Sequence, residues 1–199
     1  MGNVIASLTM SVDGFIAHRD DSVGHLFDWY DSGDTDLPWP GNDMVSHVTP
    51  ASAAYLRSTI EGTGALVVGR RLYDYTGGWG GSHPLGVPLF LVTHRPPTAW
   101  PTPDAPFTAV PEGVAAAIQR ARAVAGAKDV ALAGPSVIGQ ALNLGLVDEI
   151  AVDLAPVLLG DGIRFFGELA RPPALLDDPQ VITGTRVTHL RFLVRRPAS

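Results

Sequence analysis

Val130-Ala131-Leu132-Ala133-Gly134-Pro135-Ser136-Val137-Ile138 changes character halfway along. Its opening residues are a short apolar run that reads as a buried strand, Gly134-Pro135 breaks the run, and Ser136 to Leu144 reads as a helix that Gly145 stops. Ser136 falls where a helix N-cap belongs. The same succession stands earlier in the chain. Ala65-Leu66-Val67-Val68 reads as a buried strand, and Gly69-Arg70-Arg71 opens a short helical turn through Tyr75, closed by Gly77-Gly78. Leu89 to Thr93 is a further strand and Thr108 to Val110 a weak one. Pro111 starts a helix whose Val114, Ile118, Ala121 and Ala125 share one face. Upstream, Val4 to Leu8 is a strand, Asp13-Gly14 a turn, and Phe15-Ile16-Ala17 its continuation. Thr49-Pro50 is an N-cap followed by a first-turn proline, and Gly62 ends that helix. Asp20 to Asp43 is rich in Asp, broken by Pro and without a period, so it reads as a long surface loop.

The end of the chain departs from this alternation. Ile150 to Leu159, Val181 to Arg186 and Thr188 to Arg195 are strand-like, with no helix between the last two. Alternating strands and helices followed by strands alone predict an α/β fold. It has a mostly parallel central sheet flanked by helices, with an antiparallel C-terminal edge. No linker or repeat divides residues 1–199, so a single domain is expected.

The 199 residues include no cysteine, which excludes disulfide scaffolds, thiolate nucleophiles and Cys-ligated zinc. A net charge of −6 supplies no basic field for nucleic acid or an anionic membrane. No apolar run reaches the ~18 residues of a membrane span. Met1 to Met10 lacks a signal-peptide pattern, so the expectation is a cytoplasmic protein. Only 17% of residues are charged while 46% are hydrophobic, a surplus of apolar surface that suits a homodimer.

Familiar motifs fail one by one. Gly160-Asp161-Gly162 lacks the third glycine of a dinucleotide fingerprint, since position 165 is Phe165. Gly134 to Gly139 is one residue too long for a nucleophile elbow around Ser136. The six His are scattered at 18, 25, 47, 83, 94 and 189, with no metal-ligand spacing. What survives is a set of three strand ends: Gly69-Arg70-Arg71, Thr93-His94-Arg95 and Gly134-Pro135-Ser136-Val137-Ile138. In a parallel sheet all three converge on one crevice. Two carry arginines suited to a phosphate, and the third offers free helix N–H groups with a glycine that lets a pyrophosphate come close.

With those turns, Ser11-Val12-Asp13-Gly14-Phe15-Ile16-Ala17, Gly145-Leu146-Val147-Asp148-Glu149 and Pro156 to Gly162 occur in an order that resembles the dihydrofolate reductase-like superfamily. The likeness is to the reductase domain of the bifunctional riboflavin-biosynthesis deaminase-reductase and its free-standing relatives, and it runs from Val4 to Arg195. It implies a sheet of about eight strands and NADPH-dependent reduction of a small-molecule substrate. The substrate the resemblance implies is 5-amino-6-(5-phosphoribosylamino)uracil or another small heterocyclic or carbonyl compound.

By position, the resemblance implies that Gly69, Arg70 and Arg71 hold the adenosine 2′-phosphate side. Thr93, His94 and Arg95 form a second adenosine contact, and Gly134, Pro135, Ser136, Val137 and Ile138 hold the pyrophosphate. Ala6 and the segment from Asp13 to Ala17 border the nicotinamide. Phe15 replaces the usual Lys, and Leu132-Ala133-Gly134 replaces Glu-Gly-Gly, both on the substrate side. Phe15 and Trp79 are therefore candidates for substrate contact, and Asp13 and His83 for proton supply. Trp79 with Trp29 and Trp39 offers an apolar lid. In dihydrofolate reductases proper a lone acid lies on the helix beside the pterin, whereas Ala51 to Glu61 is acid-free until its last residue. Two alternatives stay open: a nucleotide-binding sensor that does not turn over, favoured by the missing Lys and Glu, and a pterin reductase. No acidic residue is expected where it would favour NADH over NADPH.

Overall fold

Apolar runs and helix signals along the chain become alternating elements in the computed structural model, which describes residues 2–170 and 172–195. In chain order these are β1 (Val4–Ser11), β2 (Phe15–Ala17), β3 (Thr35–Pro38), β4 (Val45–Val48), α1 (Pro50–Gly62), β5 (Thr63–Gly69), α2 (Arg70–Tyr75), β6 (Leu89–Val92) and β7 (Phe107–Val110). They continue with α3 (Val114–Ala125), β8 (Asp129–Ala133), α4 (Pro135–Asn143), β9 (Glu149–Ala155), β10 (Ile163–Arg164), β11 (Gln180–Gly184) and β12 (Val187–Leu193).

Eight strands form one sheet in the order β11-β12-β9-β1-β8-β5-β6-β7. Neighbours from β9 to β7 are parallel, while β12 and β11 run antiparallel at one edge. The expected α/β architecture is therefore present, with the order of strands added. On one face α3 and α4 cover Val4, Ala6, Val67, Leu132, Ile150 and Val152 in a continuous apolar core. The other face carries two separate clusters. One is built on Leu66, Val68, Leu89 and Leu91, and the other on Tyr55 and Leu56 of α1 with Trp29, Leu37 and Trp39. The gap between them matters for the site.

Four local readings change. The stretch from Asp20 to Asp43 is not a surface loop. It contains a 3-10 helix over Gly24–Tyr30 and the β3-β4 hairpin, and it buries Leu26, Trp29, Leu37 and Trp39. Leu26 and Trp29 are three apart and Leu37 and Trp39 two apart, so each element is too short to show a period. The second change is β2, which does not extend β1 but pairs antiparallel with β10.

The third is α3, which begins at Val114 rather than Pro111; Gly113 precedes it with φ +102°. The last is Ser136. Gly134 takes the cap position of α4 and Pro135 its first turn, so Ser136 is already inside the helix, exposed, with its Oγ accepting from Gln140 Nε2 at 3.0 Å. The α1 start is as the sequence predicts, with Thr49 Oγ1 accepting from the Ser52 amide at 3.3 Å.

Candidate active site

Parallel strands leave their carboxyl ends on one side, and there the three glycine- and arginine-bearing turns meet. Gly69, Arg70 and Arg71, then Thr93, His94 and Arg95, then Gly134, Pro135, Ser136 and Val137 line a single cleft of about 1180 Å³. That exceeds the usual range for a drug-sized ligand, about 300–1,000 Å³, and suits a dinucleotide or two ligands together. Ile138 stands apart: it is fully buried in the core against α3 and forms no part of the cleft wall.

The α4 end is built for close approach. Gly134 has φ +101°, a conformation that favours glycine, and the Gly69 turn lies beside it, 3.7 Å from where a Cβ would stand. No side chain caps the helix, which leaves the amides of Ser136 and Val137 without the helical partner that a first turn lacks.

Two of the three arginines are already paired with acids, Asp74 and Asp21. Arg70 Nε reaches both Asp74 oxygens at 2.7 and 2.8 Å, and its NH1 donates to the Arg95 carbonyl at 2.7 Å. Arg71 Nε donates to Asp21 Oδ1 at 2.7 Å and its NH2 to the Arg19 carbonyl at 3.0 Å. Both guanidiniums are exposed and half neutralised. Arg95 makes no side-chain hydrogen bond or ion pair among the described residues, so the uncompensated cation of this end is Arg95.

Beyond these turns the cleft runs under α1. Strand alternation explains why there is room. Ile5, Ser7 and Thr9 of β1 stand beside Glu149, Ala151 and Asp153 of β9, which stand beside Leu193, Arg191 and His189 of β12. The central positions on this face are small (Ser7, Ala131 and Ala151), and Tyr55 and Thr59 of α1 face them across the cleft. A sheet face floored by small side chains leaves a chamber where larger ones would have packed.

The chamber wall carries a carboxylate that sequence reasoning missed. Asp153 Oδ1 is 2.6 Å from His189 Nδ1, and His189 Nε2 is 2.9 Å from Ser52 Oγ. His189 and Ser52 are buried; the Asp153 side chain keeps 13% exposure, toward the cleft. The imidazole stacks on Tyr55 at 4.2 Å and meets Trp29 edge-on at 5.4 Å. Burial raises the ionisation of Tyr30 and Tyr55 far above the ordinary phenol value, and the negative Asp153 adds to it. Arg191, also on the wall, is paired with the buried Glu149. Asp153 stands between the apolar Val152 and Leu154 in the sequence, which was the available signal. Its meeting with His189 depends on strands 36 residues apart.

The other predicted residues divide. Ala17, Trp79 and His83 line the cleft. His83 Nδ1 accepts from the Leu85 amide at 3.1 Å, and its ring meets Trp79 edge-on at 4.6 Å. Burial lowers its pKa to about 4, so at neutral pH it is an uncharged imidazole and not an imidazolium acid.

Asp13 does not line the cleft. Its carboxylate accepts from Ser11 Oγ and from the amides of Leu159 and Gly160, which ties the turn to the 159–160 loop. The Ser11 hydroxyl and those amides hold its pKa below the ordinary value. Phe15 is also turned away from the cleft, with its ring buried under the Arg164 guanidinium at 4.8 Å. Ala6 points into the α3-α4 core, between the cleft-facing Ile5 and Ser7. Of the tryptophans considered as a lid, Trp29 is packed under α1 and Trp39 is an 8%-exposed part of the wall.

No protein-family model matches the chain, and no curated protein matches it in sequence. Solved structures do. A putative riboflavin biosynthesis protein from Shewanella sp. PV-4 superposes with a TM-score of 0.70 at 22% identity, over 98% of this chain and 99% of that one. RibD from Acinetobacter baumannii gives 0.63 at 16% identity, over 98% of this chain and 58% of the longer protein. Dihydrofolate reductase from Enterococcus faecalis, complexed with NADP(H) and RAB-propyl, gives 0.55 at 14% identity, over 98% and 97%. The fold is thus the dihydrofolate reductase-like one. Within it, this chain is similar in extent to the free-standing Shewanella protein and to the matched portion of RibD.

Proposed function

We propose that the protein is an NADPH-dependent reductase of a small heterocyclic or carbonyl-like substrate. The convergence of the three strand-end turns on one cleft carries this reading. A helix start with no side-chain cap and a glycine before it suits a pyrophosphate, and an unpaired arginine across the same cleft suits a further phosphate. NADPH, once bound, supplies the hydride. The chain's part is to hold it: Gly134 keeps the approach to the α4 amides open, and Thr93, whose Oγ1 accepts from the Arg95 amide at 3.2 Å, fixes the turn that presents Arg95. Trp79, Leu85 and Ile16 give the cleft an apolar stretch of wall. The NADP(H)-bound Enterococcus enzyme, of the same fold, supports the choice of cofactor.

Titration of NADPH and NADH, followed by tryptophan fluorescence and by absorbance at the nicotinamide band with candidate acceptors, tests the reading. Tighter binding of NADPH and its acceptor-dependent oxidation are expected. Equal affinities, or binding without turnover of any acceptor, would overturn it in favour of a sensor.

A further inference from the structure

The buried Ser52-His189-Asp153 chain has the spacing of a hydrolytic triad, but it is mounted the other way round. In a hydrolase the serine faces the reactant and the carboxylate lies behind the imidazole. Here Ser52 is 1% exposed, and a Cβ on Gly184 would come within 2.2 Å of its Oγ, so no reactant can reach it. The member presented to the cleft is Asp153. One of its oxygens is fixed by His189, while Oδ2 accepts no hydrogen bond among the described residues and is not sealed from the cleft.

Everything behind the carboxylate serves to hold it still. Ser52 and Asp153 anchor the two ring nitrogens of His189, Tyr55 stacks on it, and Trp29 packs against it edge-on. The nearby guanidinium of Arg191 is already engaged by Glu149, so it does not satisfy Asp153 in place of a ligand. A carboxylate held in place with one oxygen open to the cleft is a ready acceptor for a ligand's donors.

We propose that Asp153 is the substrate-recognition carboxylate of the chamber and His189 its positioning residue. The ligand is a flat molecule presenting paired N–H donors (an amidine, a guanidine or a 2-amino-N-heterocycle) between the floor of Ser7 and Ala151 and the roof of Tyr55. Paired donors are what a fixed carboxylate takes in two-point contact. The assignment rests on the reductase reading only in treating this chamber as the place of the substrate. It moves the acid of the site from the helix, where α1 has none facing the chamber, to strand β9.

Benzamidine and benzoate, equal in shape and opposite in hydrogen-bonding sense, provide the test, with benzyl alcohol as a neutral reference and amide shifts as the readout. Wild type should take benzamidine in preference to benzoate, with shifts at Ser7, Ala131 and Ala151. Asp153→Asn should lower the benzamidine affinity roughly 10- to 100-fold. His189→Phe, which keeps an aromatic ring between Tyr55 and Trp29, should lower the benzamidine-to-benzyl-alcohol ratio, whereas a purely structural role would weaken both alike.

Preference for benzoate, unchanged benzamidine binding in Asp153→Asn, or shifts confined to other parts of the molecule would overturn the proposal. NADPH is titrated in parallel. Loss of NADPH binding with the benzamidine preference intact removes the reductase reading alone, and NADPH binding without that preference removes the Asp153 assignment alone.

Discussion

Arg95 is the guanidinium left over once Arg70 and Arg71 have taken Asp74 and Asp21. A phosphate arriving at this end must compete with a carboxylate for the first two and with water alone for the third. Arg95→Ala should therefore weaken NADPH by about 10-fold, the low end for a charge-assisted bond, and leave NADH unchanged. Arg70→Ala should cost less than Arg95→Ala. Raising ionic strength should shrink both effects, because the group is exposed; cofactor titrations of the two variants at low and high salt decide the ranking.

His83 gives a second expectation at this scale. Its folded pKa of about 4 lies below the ordinary value of 6.5, so the unfolded chain binds the proton more readily. Stability should be complete above pH 6.5 and fall as pH drops from there toward 4. Urea unfolding of His83→Asn, whose amide oxygen can still accept from the Leu85 amide, should show less of that decline than wild type.

Helix starts separate two residues that look alike in sequence. Thr49 caps α1 through a real bond to the Ser52 amide, whereas Ser136 follows a glycine cap and a proline. Thr49→Ala should thus cost about 0.5–2 kcal/mol, and Ser136→Ala no more than about 0.5 kcal/mol; thermal unfolding of the pair measures the contrast. The strand at the other end of the chain carries more. β12 is bonded on both sides, to β9 and β11, and brings His189 under α1. A chain cut after Gly184 loses this strand and strips β9 of a neighbour. It should fail to melt cooperatively, and calorimetry of the truncated protein is the check.

Across the whole molecule, the sheet, its antiparallel edge and the crevice of turns were legible because each rests on local signals. The apolar run from Ala65 to Val68, Gly69, Gly134 and the Thr49-Pro50 pair are read one segment at a time. The chamber was not legible in that way. Nothing in Glu149 to Asp153, Thr188 to Arg191 or Ser52 alone says that they share one face, because that follows from pairing β9 with β12 and laying α1 across them. The Trp29-Trp39 stretch misleads for a related reason: its elements are held by tertiary burial and not by their own periodicity.

The place of β1 at the middle of the sheet also has a consequence in time. Its partners are Val130 to Leu132 on one side and Glu149 to Ala155 on the other, so β1 must wait for strands made much later in synthesis. At ordinary elongation speeds that interval is roughly 7–30 s. β5, β6 and β7 with α3 are contiguous in the chain and can associate meanwhile. Until β8 and β9 arrive, Val4 to Ser11 is an apolar segment with neither edge bonded, and so open to pairing with another nascent copy. Pairings this distant in sequence also slow refolding, toward the millisecond-to-second end seen for non-local topologies. The nascent chain should therefore be most prone to aggregation before Ala155 is made, a window that ribosome-bound chains of graded length would reveal.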